Sequence, residues 1–205
     1  ARKFQVGDFT VVRIRETELL DFAPEAIFPQ WDPASLRSES GGSDAGVFDL
    51  AGRNLILSTH AWLVKTPRHT ILVDTGIGNG KARKVPAFDR LHTPFLDRLR
   101  EAGTPPDDID YVLLTHLHTD HVGWNTQFEN GKWLPTFRNA RYVFSQKEYE
   151  ALDASHRAGA DSRGFFEDSI EPVVAAGQAL LAGPGPVSFI DGLVFHSTPG
   201  HSMDH

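Results

Sequence analysis

The chain has 205 residues, 40% of them hydrophobic, and no cysteine. This length and apolar content favour a single globular domain over residues 1–205. The lack of cysteine excludes disulfides, thiolate ligands and a cysteine nucleophile, so any metal would be held by His and carboxylate groups, which suit zinc, manganese, iron or cobalt. Lys and Arg total 20 against 27 Asp and Glu, and the net charge of -7 does not favour nucleic-acid binding.

The hydropathy of the chain sets the expectation for its location. The first residues lack the apolar segment of a signal peptide. No run approaches the roughly 20 apolar residues that cross a bilayer. We therefore expect a cytoplasmic protein that does not insert into a membrane.

The first predicted element is a strand pair over residues 4–15, with a turn at Gly7 and Asp8. Residues 19–53, rich in Pro, Gly and Ser, are predicted to form an irregular excursion. The aromatic residues of this excursion, which include Phe28 and Trp31, predict that it packs against something. A lid over a site and a contact in an oligomer such as a homodimer are the two interpretations.

Strands and helices alternate along the rest of the chain. In order, the predicted elements are strands at 54–64 and 70–74, a helix at 94–102 stopped by Gly103, strands at 111–115 and 140–144, a helix capped by Ser145, a helical segment at 165–181 interrupted at Pro172, and a hairpin around Asp191 and Gly192. This pattern, without a repeat, indicates an α/β layered domain. The sequence GIGNG at 76–80 resembles a phosphate-binding loop but lacks the Lys-Ser/Thr that would follow, so we interpret it as a tight turn.

Four potential metal ligands lie within six residues, directly after the apolar strand at 111–115: His116, His118, Asp120 and His121. On a helix, residues 116 and 118 would point about 200° apart. In an extended loop leaving a strand, alternate residues point the same way, so these two histidines can share an ion. Asp120 and His121 then lie on the next turn. The spacing therefore predicts two adjacent metal positions.

A further ligand for the first position is expected from a distant part of the chain. Open catalytic sites typically combine three protein ligands with water. At residues 197–201 a strand runs into a Pro-Gly turn that would present His201 at the end of the strand. We therefore predict that His201 joins His116 and His118.

Three motifs together resemble those of the metallo-β-lactamase fold hydrolases. THLHTDHVG at 115–123 is similar to the HxHxDH signature of that family, and TPGH at 198–201 is similar to its next ligand motif. ILVDTG at 71–76 resembles a third motif, a strand that ends in Asp-x-Gly. The three motifs follow the order and approximate spacing of the family. This resemblance, over residues 54–205, implies an αββα sandwich with a binuclear metal centre, usually of zinc, at its edge.

The resemblance also implies a role for each site residue. His116, His118 and His201 would hold the first ion, Asp120 and His121 the second, and Asp74 and His205 would support the ligands. A water or hydroxide on the metal ions would be the nucleophile, and Asp120 would orient it as the catalytic carboxylate. The family has two later ligands, an Asp and a His, which would lie beyond residue 205. We therefore expect the chain to be the N-terminal part of a longer protein that lacks its C-terminal part here.

Within the family, the N-terminal extension and HTDHVGWNT resemble the branch of acyl-homoserine-lactone lactonases and methyl-parathion-type hydrolases. This resemblance implies a metal-dependent hydrolase of a lactone, a carboxylic ester or a phosphotriester, and the aromatic excursion favours a small apolar substrate. Trp124, Trp62, Phe28 and Trp31 are candidates for lining its pocket, with core packing as the alternative for each. An iron-dependent oxidoreductase of the flavodi-iron or sulfur-dioxygenase kind and a catalytically inactive binding relative stay open.

Overall fold

The computed structural model of the protein describes residues 2–32, 48, 54–160, 164–190 and 192–205. Most of the predicted excursion, and Asp191 of the predicted hairpin turn, lie outside the described residues. The chain divides into two compact units, a main unit of residues 1–16 and 60–205 and a second unit of residues 17–59. No helix in the described ranges is long and apolar enough to cross a membrane.

Short strands dominate the part of the chain that the structure describes. The elements are β1 (Lys3–Val6), β2 (Phe9–Phe22), α1 (Pro24–Ile27), β3 (Leu55–Lys65), β4 (Thr70–Val73), α2 (Phe95–Glu101), β5 (Tyr111–Leu113), β6 (Thr126–Glu129), β7 (Lys132–Pro135), β8 (Arg141–Ser145), α3 (Gln146–Arg157), a π-helical turn (Phe166–Ile170), α4 (Glu171–Ala175), β9 (Ala179–Ala182), β10 (Val187–Ile190) and β11 (Leu193–Phe195). Single 3₁₀ turns lie at Pro86–Phe88, Pro106–Asp108 and Gly123–Asn125.

The main sheet has the strand order β1-β2-β3-β4-β5-β8-β9. Its first strands pair antiparallel, β1 with β2 and β3 with β4. From β4 onward the pairs β4–β5, β5–β8 and β8–β9 are parallel. The carboxyl ends of these parallel strands therefore meet at one edge of the sheet, which is where open α/β sheets form their sites.

Both faces of the sheet are buried, and this explains the continuous apolar runs of its central strands. On one face, Leu72 and Val112 pack with Phe95 and Leu99 of α2 in one core cluster. On the other face, alternate strand residues such as Ile71 pack in a second cluster, which includes residues of β10 and β11.

Several predicted elements are confirmed. The strand pair β1–β2 turns at Gly7 and Asp8, and the predicted strands at 54–64 and 70–74 are β3 and β4, which pair antiparallel. Helix α2 is followed by Gly103 in the left-handed region, with φ of 77°. Ser145 caps α3 by accepting a hydrogen bond from the Glu148 amide at 3.2 Å.

The predicted helical segment at 165–181 is wrong in its second half. In its first half the segment changes from the π-helical turn to α4 directly before Pro172, which lies in the first turn of α4, where Pro is tolerated. Helix α4 ends before Gly177, which has a φ of 69°. Residues 179–182 then form β9, parallel to β8.

Two further differences concern strands. Residues 19–22 were predicted to begin the irregular excursion. Instead they continue β2, which ends at Phe22, just before Ala23 and Pro24. The hairpin β6–β7 was not predicted, although it turns at Asn130 and Gly131. Both turn residues have positive φ, 51° and 80°, as the common two-residue hairpin turn requires.

A buried charge network joins the chain after β4 to the π-helical turn. The Arg83 guanidinium donates to both carboxylate oxygens of Asp168, at 2.6 and 2.9 Å. The Lys81 ammonium lies 3.3 Å from the same carboxylate, and the Lys81 side chain is fully buried. Burial lowers the pKa of Lys81 to about 7, although Asp168 opposes this shift. This network holds the 81–83 segment in place.

Candidate metal centre

The candidate site is built at the carboxyl ends of β4 and β5. These neighbouring strands are parallel, with Val73 opposite Leu113, so the residues that follow them lie together. Asp74 follows β4 directly, and its amide donates to the Leu113 carbonyl at 2.8 Å. Its φ of 60° lies in the left-handed region, which Asp tolerates better than most residues.

The loop after β5 is fixed by backbone hydrogen bonds to the loop after β4. The Thr75 amide donates to the His121 carbonyl at 2.7 Å, and the Gly123 amide donates to the Gly76 carbonyl at 2.7 Å. The Trp124 amide donates back to Thr75 at 2.8 Å. These bonds fix the backbone of the loop after β5, which carries the His and Asp side chains of residues 116–121.

Three histidines converge at this edge of the sheet. His116 Nε2 lies 3.1 Å from His118 Nδ1, which lies 3.2 Å from His201 Nε2. One ligand atom from each residue lies within 4.8 Å of the other two, as a metal site requires. Four-coordinate zinc with Zn–N bonds of about 2.0–2.1 Å places its nitrogens about 3.3–3.4 Å apart. The two separations that involve His118 are close to this spacing, and the three side chains together form a candidate set of ligands for one ion.

Asp120 and His121 form a second pair of potential ligands beside these histidines. Asp120 Oδ2 lies 3.5 Å from His121 Nε2, and the His121 ring centroid lies 4.1 Å from that of His116. The other ring nitrogen, His121 Nδ1, lies 2.9 Å from Asp74 Oδ2. Asp74 thus orients the ring so that Nε2 faces Asp120, an arrangement common among metal-bound histidines.

The electrostatics suit metal ligation. Burial, followed by the neighbouring histidines, lowers the pKa of His116 to about 3, so its ring is neutral at pH 7. Burial would lower the pKa of His121, but hydrogen bonds and charges from Asp120 and Asp74 outweigh it and raise the pKa to about 10. Burial of Asp120 is similarly outweighed by His121, which lowers the pKa of the carboxyl. A divalent cation bound between the Asp120 and His121 side chains would replace the proton that the His121 ring otherwise holds.

The two residues predicted to support the ligands lie next to them. Asp74 Oδ1 accepts a hydrogen bond from the Thr115 amide at 2.8 Å, while its other oxygen faces His121. The His205 ring stacks on His116, with centroids 4.5 Å apart and planes inclined by 19°. Among the described residues, His205 Nδ1 is a buried atom without a hydrogen-bond partner. The supporting roles of both residues stay predictions.

Each of the four aromatic pocket candidates packs against a residue of its own unit. Trp124 is buried, stacks on Phe95 with centroids 5.6 Å apart, and donates its indole N–H to Glu16 at 2.7 Å. Trp62 packs against Phe4 in the main unit. Phe28 and Trp31 stack on each other within the second unit, with centroids 6.3 Å apart. Trp124 is packed as a core residue, and the pocket assignments stay predictions.

Glu16 is a buried carboxylate near the site that the sequence analysis missed. It is 1% exposed and accepts hydrogen bonds from the Ile77 amide at 2.7 Å and the Gly78 amide at 3.0 Å, besides that from Trp124. Burial raises its pKa, although these hydrogen bonds oppose the shift. A Cβ on Gly76 would lie 2.3 Å from Glu16 Oε2. The amides of Ile77 and Gly78 therefore bind a carboxylate of the same chain, and the interpretation of GIGNG as a tight turn stays a prediction.

Fold and site together define a layered α/β protein with a candidate centre of His and Asp ligands. Residues 56–205 match the family model of the Metallo-beta-lactamase superfamily. The chain belongs to this superfamily, and the predicted family and αββα sandwich class are confirmed.

Curated relatives include two N-acyl homoserine lactonases. That of Agrobacterium fabrum is 34% identical over 137 residues, which are 62% of this chain and 46% of the relative. That of Bacillus thuringiensis is 27% identical over 166 residues, 75% of this chain and 58% of the relative. The chain thus spans about half the length of the curated relatives it matches.

Solved structures with the same fold include two hydrolases. One is a probable metal-dependent hydrolase from Staphylococcus aureus, with a TM-score of 0.75 and 22% identity, covering 98% of this chain and 68% of the other. The second is a dizinc quorum-quenching lactonase in complex with the product N-hexanoyl-L-homoserine. Its TM-score is 0.66 at 21% identity, covering 99% of this chain and 67% of the other. At these identities the likeness shows the fold alone.

Proposed function

We propose that this chain forms the metal-binding part of a hydrolase that opens the ring of N-acyl homoserine lactones or similar small lactones. The observation that carries the proposal is the convergence of the ligand nitrogens of His116, His118 and His201, beside the Asp120–His121 pair. The names of the curated relatives support the substrate class. The dizinc lactonase of the same fold supports zinc as the metal, with two ions per site.

The residues divide between two ions in this proposal. His116, His118 and His201 hold the first, and Asp120 and His121 contribute to holding the second. A divalent ion bound there supplies Lewis acidity towards the lactone carbonyl and a source of hydroxide at neutral pH. The neutral state of His116 leaves its Nε2 lone pair available for ligation.

Asp74 and Asp120 act on the second position. With its Nδ1–H donated to Asp74, the His121 ring keeps its Nε2 directed towards Asp120. The Asp120 side chain is 38% exposed, so water can reach its carboxylate. We therefore propose that Asp120 orients that water as well as holding the ion.

Metal removal and a substrate panel test the proposed function. The protein would be stripped with a chelator, reloaded with zinc, manganese, cobalt or iron, and assayed with N-hexanoyl homoserine lactone, an aryl ester and a phosphotriester. We expect activity only in the metal-loaded protein, with the highest kcat/KM for the lactone. Iron-dependent oxygen consumption without lactone turnover would instead support an oxidoreductase, and no turnover of any substrate would support a binding relative.

Replacement of Asp120 by asparagine is expected to spare the first ion and weaken the second. Asn has nearly the same shape but no charge, and Asp120 is itself a proposed ligand. Turnover should therefore fall by more than the about 100-fold that marks the loss of a residue which only supports a ligand. Metal content per chain and kcat are the measurements.

The matched control for this substitution is Asp8→Asn at the exposed β1–β2 turn, which should leave both quantities unchanged. Loss of both ions from the Asp120→Asn variant would contradict the assignment of Asp120 to the second position.

A further inference from the structure

The first metal position combines ligands from two segments that are far apart in sequence. His116 and His118 lie on the loop after β5, whereas His201 lies 83 residues after His118. The 3.2 Å separation of His118 Nδ1 and His201 Nε2 therefore depends on how the C-terminal segment is held against the loop.

Glu148, in the first turn of α3, joins these two segments. Its Oε2 accepts a hydrogen bond from the amide of Leu117, the residue between the two histidines, at 2.6 Å. Its Oε1 accepts one from the amide of Asp204, three residues after His201, at 3.3 Å. The residue is 5% exposed, so little solvent competes for either oxygen. A single buried carboxylate thus links the backbones of both ligand segments.

The start of α3 makes further bonds to the same C-terminal segment. The Ser145 hydroxyl donates to Asp204 Oδ2 at 2.6 Å, and the Lys147 ammonium donates to the Met203 carbonyl at 3.0 Å. The Asp204 carboxylate also accepts from Ser197, just before the Thr-Pro-Gly-His turn. These bonds keep the Asp204 amide within reach of Glu148, whose own amide is held by Ser145.

We propose that Glu148 is a positioning residue, which sets the distance between His201 and the His116–His118 pair. This inference rests on the proposed function, since it concerns the same metal ligands. A carboxylate is required because both partners are N–H donors, and each carboxylate oxygen accepts from one of them. An amide would have a single acceptor and would turn its NH₂ group towards the other N–H. With glutamine at position 148, we expect the longer of the two hydrogen bonds to be lost, the one from the Asp204 amide at 3.3 Å.

The test is Glu148→Gln, with Glu150→Gln as the matched control. Glu150 is exposed on the same helix, and its carboxylate accepts from Gln146 rather than from a ligand segment. Zinc affinity would be measured by competition with a chromophoric chelator, and ligand geometry by the visible spectrum of bound Co²⁺. We expect Glu148→Gln to weaken binding at the first position about 10–100-fold and to change the Co²⁺ spectrum. The control should differ from wild type less than twofold.

Thermal unfolding separates positioning from a merely structural role. A positioning residue lowers the rise in Tm that saturating zinc produces, because that rise depends on affinity. A structural residue lowers the Tm of the metal-free and zinc-loaded protein equally. Wild-type affinity and an unchanged Co²⁺ spectrum in Glu148→Gln would overturn the proposal. If that variant does not fold, Glu148→Asp, which keeps both acceptors but shortens their reach, should show an intermediate loss of affinity, and wild-type affinity there would equally overturn it.

The proposed function and the positioning role of Glu148 are disproved by different results. If wild-type protein binds no zinc and hydrolyses no lactone, the function is wrong. If wild type does both and the Glu148 variants bind zinc as tightly, only the positioning role is wrong.

Discussion

The His116→Ala variant is expected to lose the first metal ion and the hydrolytic activity that depends on it. His116 is the most buried of the three converging histidines, at 1% exposure, and its Nε2 lies within 3.1 Å of His118. Loss of a residue that only supports a metal ligand lowers affinity or activity about 10–100-fold. Loss of the ligand itself should therefore exceed this range. Metal content after gel filtration and kcat/KM for the lactone measure the effect.

His92→Ala is the matched control, because His92 is exposed and lies outside the cluster. It should retain the metal content and activity of wild type. Circular dichroism of both variants would show that the His116 variant is folded. A folded His116→Ala protein that keeps full metal content and turnover would disprove the assignment of the first position.

Most of the candidate ligand cluster could be predicted from sequence because its geometry is local. His116 and His118 alternate in an extended loop directly after a strand, and Asp120 and His121 follow within one turn. His201 was placed by the Pro-Gly turn that ends a predicted strand, and Asp74 by a motif that resembles a known family. The structure brings these side chains to one edge, since β4 and β5 are parallel neighbours.

The roles of Glu16 and Glu148, which bind the backbone of the loops after β4 and β5, could not be predicted, because their partners are distant in sequence. Glu16 bonds to Trp124 across 108 residues, and Glu148 to Leu117 across 31. Nothing in the sequence around Glu16 distinguishes this residue from a solvent-exposed glutamate on a strand, and the same holds for Glu148 on a helix. Burial alone reveals these carboxylates, and burial depends on the assembled fold.

The hairpin β6–β7 and strand β9 had local signals that were overlooked. Asn-Gly at 130–131 is the strongest short sequence signal for a two-residue hairpin turn. Gly177 is a typical helix stop, which separates α4 from the strand that follows. Apolar residues at 179–182 fit a helix or a buried strand equally well, and pairing with β8 decides between them.

Gly123→Ala is expected to be among the most destabilising substitutions in the chain. A Cβ at residue 123 would lie 1.8 Å from the carbonyl carbon and oxygen of Ile77 and 2.4 Å from the Gly78 nitrogen. All of these are backbone atoms, so no side-chain rotation relieves the overlap. We expect a loss above about 4 kcal/mol, the range of exceptional substitutions. For a chain of this size that lowers Tm by at least about 8 °C.

The same substitution should also weaken the second metal position. Gly123 donates to the Gly76 carbonyl, and His121, two residues earlier, accepts from Thr75 in the same set of bonds. Displacing the two loops would therefore move His121 away from Asp74 and Asp120. Zinc stoichiometry at a temperature where the variant is folded would show this as loss of one ion.

Gly183→Ala is the matched control for this steric argument. A Cβ at residue 183 would meet nothing within 4 Å, and Gly183, like Gly123, does not occupy the left-handed region. Its stability should remain within about 0.5 kcal/mol of wild type, as for ordinary surface substitutions. A Gly123→Ala protein as stable as this control, with both ions bound, would show that the two loops do not pack as closely as the structure places them.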